Sequence, residues 1–80
     1  MLTYALRLQI NYNGMIMATV PDVPEAMALG RDDDEAVEEA KRALEAVLER
    51  YEEEGRPPPA PRAGGTVRVT TERFGLLTPA

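Results

Sequence analysis

The sequence predicts a small α+β fold, in which elements in the order β-β-β-α-β build one twisted sheet with a long amphipathic helix packed on one face. Two patterns support this prediction. Residues 4–10 alternate like a half-buried strand ahead of an Asn13-Gly14 turn, and residues 32–54 carry apolar side chains every three or four positions. The 80 residues are expected to form a single domain, 1–80, because a chain this short builds only one core.

Residues 3–29 are expected to form a β-hairpin and a short third strand. Both central positions of a type I′ turn need positive φ, and Asn13-Gly14 is a residue pair that adopts it readily. Residues 15–20 form the returning strand, and residues 26–29 form a short strand that ends at Gly30. The buried face of the first strand is expected to consist of Tyr4, Leu6, Leu8 and Ile10.

Residues 32–54 are expected to form the helix. Asp32 is the predicted N-cap, and Glu35, three residues later, can reach back to complete a pair that resembles a capping box. Gly55 suits the left-handed position that follows a helix. The side chains expected to face the sheet are Ala36, Val37, Ala40, Ala43, Leu44, Val47, Leu48 and Tyr51.

Residues 56–65 are expected to be an extended connector, because proline stops a helix and favours the polyproline conformation. Residues 66–71 alternate β-branched and polar side chains, which predicts the last strand. The tail that follows contains Phe74, Leu76 and Leu77, and we expect these apolar side chains to cover the core or to contact a partner.

The composition favours a binding protein over an enzyme. Nine Lys and Arg against fourteen Asp and Glu give a net charge of −5, so we expect a basic partner and no direct binding of nucleic acid. The absence of His and Cys removes the commonest general base and common metal ligands, and we expect no catalytic residue, cofactor or metal site. Without a signal-like start or a long apolar run, no membrane contact and a cytoplasmic location are expected.

The size of the chain predicts self-association. A single core is comfortably stable only above roughly 70–80 residues, and this chain has no Cys for a stabilising disulfide. One helix also covers only one face of the sheet, which leaves the second face bare. We therefore expect a homo-oligomer, a dimer or a tetramer, and we expect the bare face to serve either dimerisation or the binding of a partner.

Three groups of side chains allow more than one interpretation. The acidic run 32–35 lacks the alternating ligand spacing of a calcium loop, so a helix cap is favoured over a metal site. Asp22 and Asp32 are a conceivable catalytic pair, yet nothing in their spacing brings them together. Met15 and Met17 suit the core, but Met is also common at adaptable binding surfaces.

Several short segments, taken in order, resemble the N-terminal domain of HicB antitoxins. The likeness covers residues 3–71, and the order of the segments is more specific than any one of them. A proline-rich stretch and a last strand follow them, as in that family. The segments are Val20-Pro21-Asp22-Val23-Pro24-Glu25-Ala26, Leu29-Gly30, Asp34-Glu35-Ala36 and Glu39-Ala40-Lys41-Arg42-Ala43-Leu44.

The resemblance implies a partial ribonuclease-H-like fold without nuclease activity. It also implies a partner, because HicB proteins of type II toxin–antitoxin systems bind and neutralise HicA, a small basic toxin that cleaves mRNA. HicB proteins usually carry a C-terminal DNA-binding domain. The sequence ends at Ala80, so operator binding is not expected of this chain, whether it is a natural short form or a truncation.

We therefore expect an antitoxin that blocks the RNA-binding surface of a HicA-like toxin. The alternative is an orphan homo-oligomeric module of the same fold that binds a small ligand or another regulatory protein. A third interpretation, metal-dependent hydrolysis through Asp22, predicts RNA cleavage that needs magnesium or manganese. The expected partner contacts are Glu38, Glu45 and Glu49 as electrostatic contacts and Tyr12, Met15 and Met17 as apolar anchors.

Overall fold

The computed structural model describes residues 2–11, 13–65 and 67–71. It confirms the predicted α+β class, with one long helix against antiparallel strands. The apolar tail residues Phe74, Leu76 and Leu77 lie outside the described residues. The elements, in chain order, are β1 (Leu2–Ala5), β2 (Arg7–Ile10), β3 (Ile16–Thr19), β4 (Met27–Gly30), α1 (Asp33–Glu53) and β5 (Arg68–Thr71).

The strands form two antiparallel sheets rather than the single sheet predicted. One sheet has the order β2-β3-β4, and the other pairs β1 with β5. The predicted first strand is divided at Leu6, whose N–H donates to the carbonyl of Val67 at 2.8 Å. The chain changes pairing partner at this point. Ala5 and Leu6 are consequently both buried, which a regular alternation does not allow.

Ile10 lies on the predicted side of its strand but is exposed, whereas the prediction expected it to be buried. Its side chain is 75% exposed, whereas Tyr4 and Leu6 on the same predicted face are buried. Ile10 pairs with Ile16, and Ile16 pairs with Gly30 on β4. α1 lies mainly over β4 and β3, so the end of β2 extends beyond its cover.

The hairpin turn differs from the predicted type I′. Gly14 has φ of 80°, but within the described part of the chain no residue other than glycine has positive φ, so Asn13 does not adopt the predicted conformation. The N–H of Gly14 donates to the carbonyl of Asn11 at 3.0 Å, and Asn11 in turn donates its N–H to the carbonyl of Met15. This pattern is typical of a three-residue loop that ends in a left-handed glycine.

Both ends of α1 are capped. The Asp32 carboxylate accepts from the N–H of Glu35 at 2.8 Å, as predicted. Glu35 reaches back one residue further than expected, to the N–H of Arg31 at 3.0 Å. At the other end, Gly55 has φ of 70° and donates to the carbonyl of Glu52, which ends the helix as a left-handed glycine should.

One apolar core fills the space between α1 and the strands. The alternating strand residues that face α1, such as Ala18 and Val69, are buried with the inner stripe of the helix. The loop between β3 and β4 also contributes, because Val23 is fully buried. The buried helix residues are Ala36, Ala40, Leu44, Val47 and Leu48, all of which were predicted to face the sheet.

Candidate partner-binding surfaces

The acidic candidates lie on the side of α1 that faces away from the sheet. Glu38, Glu45 and Glu49 are separated by seven and four residues, a spacing that places them on one helix face. Glu38 is exposed, and the other two are half-buried. We call these three residues the acidic helix face. The spacing predicted their common face, and the buried stripe of α1 determines that this face looks outward.

α1 carries the negative charge of the whole protein. The helix contains nine acidic and three basic residues, a net charge of −6, whereas the complete chain carries −5. The rest of the chain is therefore close to neutral. One of the basic side chains, Arg42, is paired with Glu39 at 3.5 Å. The long-range field of the molecule thus originates from the helix and attracts basic partners towards that side.

Of the apolar candidates, Met17 lies on the opposite side of the molecule from the acidic helix face. Leu8, Ala18 and Ala28 point towards the core, so the residues between them on β2, β3 and β4 form the other face of the sheet. Met17 is half-buried there, and Met27 and Leu29 are 52% and 45% exposed. We call this the outer sheet face; it consists of Arg7, Gln9, Met17, Thr19, Met27 and Leu29.

The structure separates the predicted contact residues into two groups. Met17 belongs to the outer sheet face, and the acidic helix face lies across the core from it. Met15, just before β3, is half-buried, and Tyr12 lies outside the described residues. A flat partner surface that contacts the glutamates therefore cannot also contact Met17.

The segment 20–26 holds the connector in place. The carboxylate of Asp22 accepts from the backbone N–H groups of Arg62 and Ala63 at 3.0 and 2.9 Å. Two charge-assisted hydrogen bonds of this kind give Asp22 a structural role. In the sequence it was only a weak catalytic candidate. Its real partners could not be found from local patterns, because they lie 40 and 41 residues away.

A second contact of this segment reaches the end of α1. Tyr51 donates its hydroxyl to the Glu25 carboxylate at 2.8 Å, and Arg56 lies over the Tyr51 ring at 4.1 Å. The hydrogen bond from Tyr51 lowers the pKa of the Glu25 carboxyl and raises the pKa of the Tyr51 hydroxyl. Arg56 also donates its N–H to the carbonyl of Tyr51 at 2.8 Å. The helix end, the connector and the loop before β4 are thus joined.

Tyr4 makes the third contact with the connector. Its ring is fully buried, and its hydroxyl donates to the carbonyl of Pro59 at 2.6 Å. Burial raises the pKa of Tyr4 to about 12, and the nearby charge of Asp22 adds to the shift. The proline-rich segment therefore lies against the domain instead of acting as a free linker.

Replacing Tyr4 by Phe is expected to lower the free energy of unfolding by about 1 kcal/mol at neutral pH, because one intramolecular hydrogen bond usually contributes that much. Because the pKa of Tyr4 is raised in the folded state, its contribution is complete below pH 10 and is lost as the pH rises through about 12. Urea unfolding across this range, with tyrosinate absorbance, measures both effects. A Tyr4→Phe variant that is as stable as the natural chain, and that loses as much stability at alkaline pH, would contradict the hydrogen bond assigned to the Tyr4 hydroxyl.

The acidic run 32–35 acts as the start of α1. Asp32 is the N-cap, and the negative side chains that follow lie in the first turn, where they complement the helix dipole. Over residues 2–11, 13–65 and 67–71, no three acidic side chains come close enough to hold a metal ion. In the same ranges, no helix is both long and apolar enough to cross a bilayer.

No protein-family profile matches this chain, and no curated protein is significantly similar to it in sequence. Its structure is similar to the crystal structure of the N-terminal domain of the antitoxin HicB from Burkholderia pseudomallei, with a TM-score of 0.64 and 19% identity over 98% of this chain and 84% of that one. The chain therefore has the fold of the N-terminal domain of a HicB antitoxin.

Proposed function

We propose that this chain binds and neutralises a basic, mRNA-cleaving toxin of the HicA type. The observation that carries the proposal is the combination of an antitoxin fold with a helix of net charge −6 on one side of it. A toxin that binds RNA must present a cationic surface, since RNA affinity depends on contacts with phosphates. The acidic helix face has the complementary charge for such a surface.

The proposed mechanism is stoichiometric inhibition. Glu38, Glu45 and Glu49 pair with basic side chains that would otherwise contact RNA phosphates, and the bound antitoxin excludes RNA from that surface. Attraction between the negative helix and a positive toxin also accelerates the encounter, and this effect decreases as salt screens the charges. The chain itself needs no catalytic residue or cofactor for this function.

The proposal gives Met17 no contact with the same toxin surface. Met17 lies across the core from α1, so its partner must approach from the other side. The proposed antitoxin belongs to a type II system, because it is a protein that binds the toxin protein. It is a cytoplasmic protein, because its target acts on mRNA. It is also expected to self-associate, as its small size predicts.

The experiment that tests this function begins with an affinity pull-down of the tagged chain from its native host, followed by mass spectrometry. We expect a small basic protein at close to one-to-one stoichiometry. The recovered protein should cleave mRNA when alone, and cleavage should stop when the chain is added in equal amount. As a control, an unrelated protein with the same net charge should leave cleavage unchanged.

Three results would favour other functions. Recovery of the chain alone, as an oligomer, would favour the orphan module that binds a small ligand or another regulator. Recovery of a basic protein without nuclease activity would support the complementary charge of the partner, but it would exclude an mRNA-cleaving toxin as that partner. RNA cleavage by the chain itself with magnesium or manganese would instead support the hydrolase interpretation of Asp22.

A further inference from the structure

The loop between β2 and β3 exposes an asparagine that is followed directly by a glycine. Asn13 and Gly14 are both exposed. Beyond the two chain neighbours of Gly14, no described atom lies within 4 Å of the position that a Cβ on this residue would take. No described residue forms a hydrogen bond with the side-chain amide of Asn13, whose backbone N–H donates to the Asn11 side chain at 3.0 Å. The side-chain amide of Asn13 and the backbone nitrogen of Gly14 are therefore neighbours that no side chain shields.

Asn11, the second asparagine of the chain, has the opposite surroundings. It is half-buried, and its side-chain oxygen accepts from the N–H groups of Asn13 and Met15 at 3.0 and 3.1 Å. The residue that follows it in the sequence is Tyr12, which carries a large side chain where Gly14 has none. The two asparagines thus differ in exposure, in hydrogen bonding and in the residue that follows.

We propose that Asn13 is a site of spontaneous deamidation. The backbone nitrogen of Gly14 loses its proton and attacks the side-chain carbonyl carbon of Asn13, where glycine allows a close approach. A carbon–nitrogen bond forms and closes a five-membered succinimide ring. The bond to the amide nitrogen breaks, and this nitrogen takes up a proton and leaves as ammonia.

Water is the only co-reactant of the second step. It adds to one of the two ring carbonyls and opens the ring. Opening on one side gives an aspartate at position 13, and opening on the other side gives an isoaspartate, in which the main chain runs through the former side chain. No catalytic residue or cofactor is required.

One hydrogen bond restrains the attacking nitrogen. The N–H of Gly14 donates to the carbonyl of Asn11 at 3.0 Å, and this bond must break before the nitrogen can turn towards the Asn13 side chain. Both residues of the site are exposed, so the opening does not uncover the core. We expect the bond to slow the reaction about tenfold, which corresponds to about 1.4 kcal/mol and is close to the usual net contribution of one hydrogen bond.

The reaction places a charge where the hairpin has none. Residues 8–21 contain no charged side chain, and each conversion changes the net charge of the chain from −5 to −6. Ile10, 75% exposed, and the half-buried Met15 lie at the same end of the hairpin. A new carboxylate makes it costly to remove water from this end. The modification goes beyond the proposed toxin binding and does not depend on it.

The two products should affect the hairpin differently. Asp-Gly suits a tight turn about as well as Asn-Gly, so the aspartate form should keep the loop. Isoaspartate lengthens the main chain by one methylene group between Asn11 and Met15. The N–H of Asn11 donates to the carbonyl of Met15 at 2.9 Å and closes the loop, and the longer main chain disturbs this bond.

Incubation of the full chain in mildly alkaline buffer, followed by mass spectrometry of its peptides, tests the proposal. At Asn13 we expect the mass change of an amide converted to a carboxylate, with both aspartate and isoaspartate among the products. The rate should rise in proportion to the hydroxide concentration, because the attacking nitrogen must lose its proton. Ion exchange should separate a more acidic species as the reaction proceeds. Asn11 should stay unmodified in the same sample.

Asn13→Gln is the matched control. It keeps an amide at this position, but its longer side chain would have to close a larger ring. This variant should stay unmodified over the same period. The chain unfolded in urea gives the rate without the hydrogen bond of Gly14, and we expect this rate to be about tenfold higher than in the folded chain.

The stability of the products checks the structural consequence. Asn13→Asp should melt at the temperature of the natural chain, and the purified isoaspartate form should melt at a lower temperature. Equal melting of all three forms would contradict the effect assigned to the lengthened main chain.

Three outcomes would overturn the site itself. The first is an unmodified Asn13 in the folded chain after the urea-unfolded chain is fully converted, because the loop would then protect it. The second is equal modification of Asn11, which would mean that the surroundings of the two asparagines do not control the reaction. The third is aspartate without isoaspartate, which would indicate direct hydrolysis by water and no attack by Gly14.

Discussion

Reversing the charges of Glu38, Glu45 and Glu49 together to Lys is expected to weaken binding of the proposed toxin at least about a hundredfold. Each reversal removes one attraction to a cationic surface and adds one repulsion. A loss of about 1 kcal/mol per site gives roughly 3 kcal/mol in total, and each 1.4 kcal/mol is a factor of ten in affinity. The fold should persist, because the three residues lie on the outer side of α1.

Isothermal titration calorimetry with the recovered toxin measures this loss, and a salt series shows how much of it is electrostatic. The matched control reverses Glu52, Glu53 and Glu54 at the carboxyl end of the helix, which changes the net charge by the same amount. If only the total charge matters, the two triple variants should lose equal affinity. Unchanged affinity in the first variant would exclude the acidic helix face from the contact.

Gly30→Ala is expected to destabilise the fold by about 2–3 kcal/mol, the cost of overpacking a well-filled core. For a domain of this size, such a loss lowers Tm by more than about 10 °C. A Cβ on Gly30 would lie 2.7 Å from the Cα of Ala36 and 2.8 Å from the carbonyl carbon of Glu35, and closer still to the N of Ala36. These are backbone atoms, so the first turn of α1 must move away from β4.

Gly64→Ala provides the control for this substitution. Among the described residues beyond its two chain neighbours, no atom lies within 4 Å of the position where its Cβ would be placed, and its φ is not positive. We expect its stability to stay within about 0.5 kcal/mol of the natural chain, as for most surface changes. Thermal and urea unfolding of both variants give the comparison. Equal stability of the two variants would mean that the end of β4 is not closely packed against α1.

The features that the sequence determined by itself are local ones. The helix could be predicted almost to the residue, because its period and its caps at Asp32 and Gly55 depend on neighbours within a few positions. The common face of Glu38, Glu45 and Glu49 follows from the same period. The α+β class and the hairpin were predictable for similar reasons, since alternation and turn residues act over short distances.

The tertiary structure decided the features that depend on distant parts of the chain. The break at Leu6 arises because the strand pairs first with β5 and then with β3. Asp22 reaches the backbone of Arg62, and Tyr4 reaches Pro59, which lies 55 residues further along the chain. No local pattern encodes such contacts, because they exist only after the core has brought the segments together.

The same reason explains why the predicted contact residues do not form one surface. Sequence spacing shows which residues share one face of a helix or strand. It does not show where on the surface of the domain that face lies. α1 packs its apolar stripe on one face of the sheet, so its glutamates and Met17 end on opposite sides of the core. The sequence thus determined which residues share a face, and packing of the helix on the sheet decided that the two faces point in opposite directions.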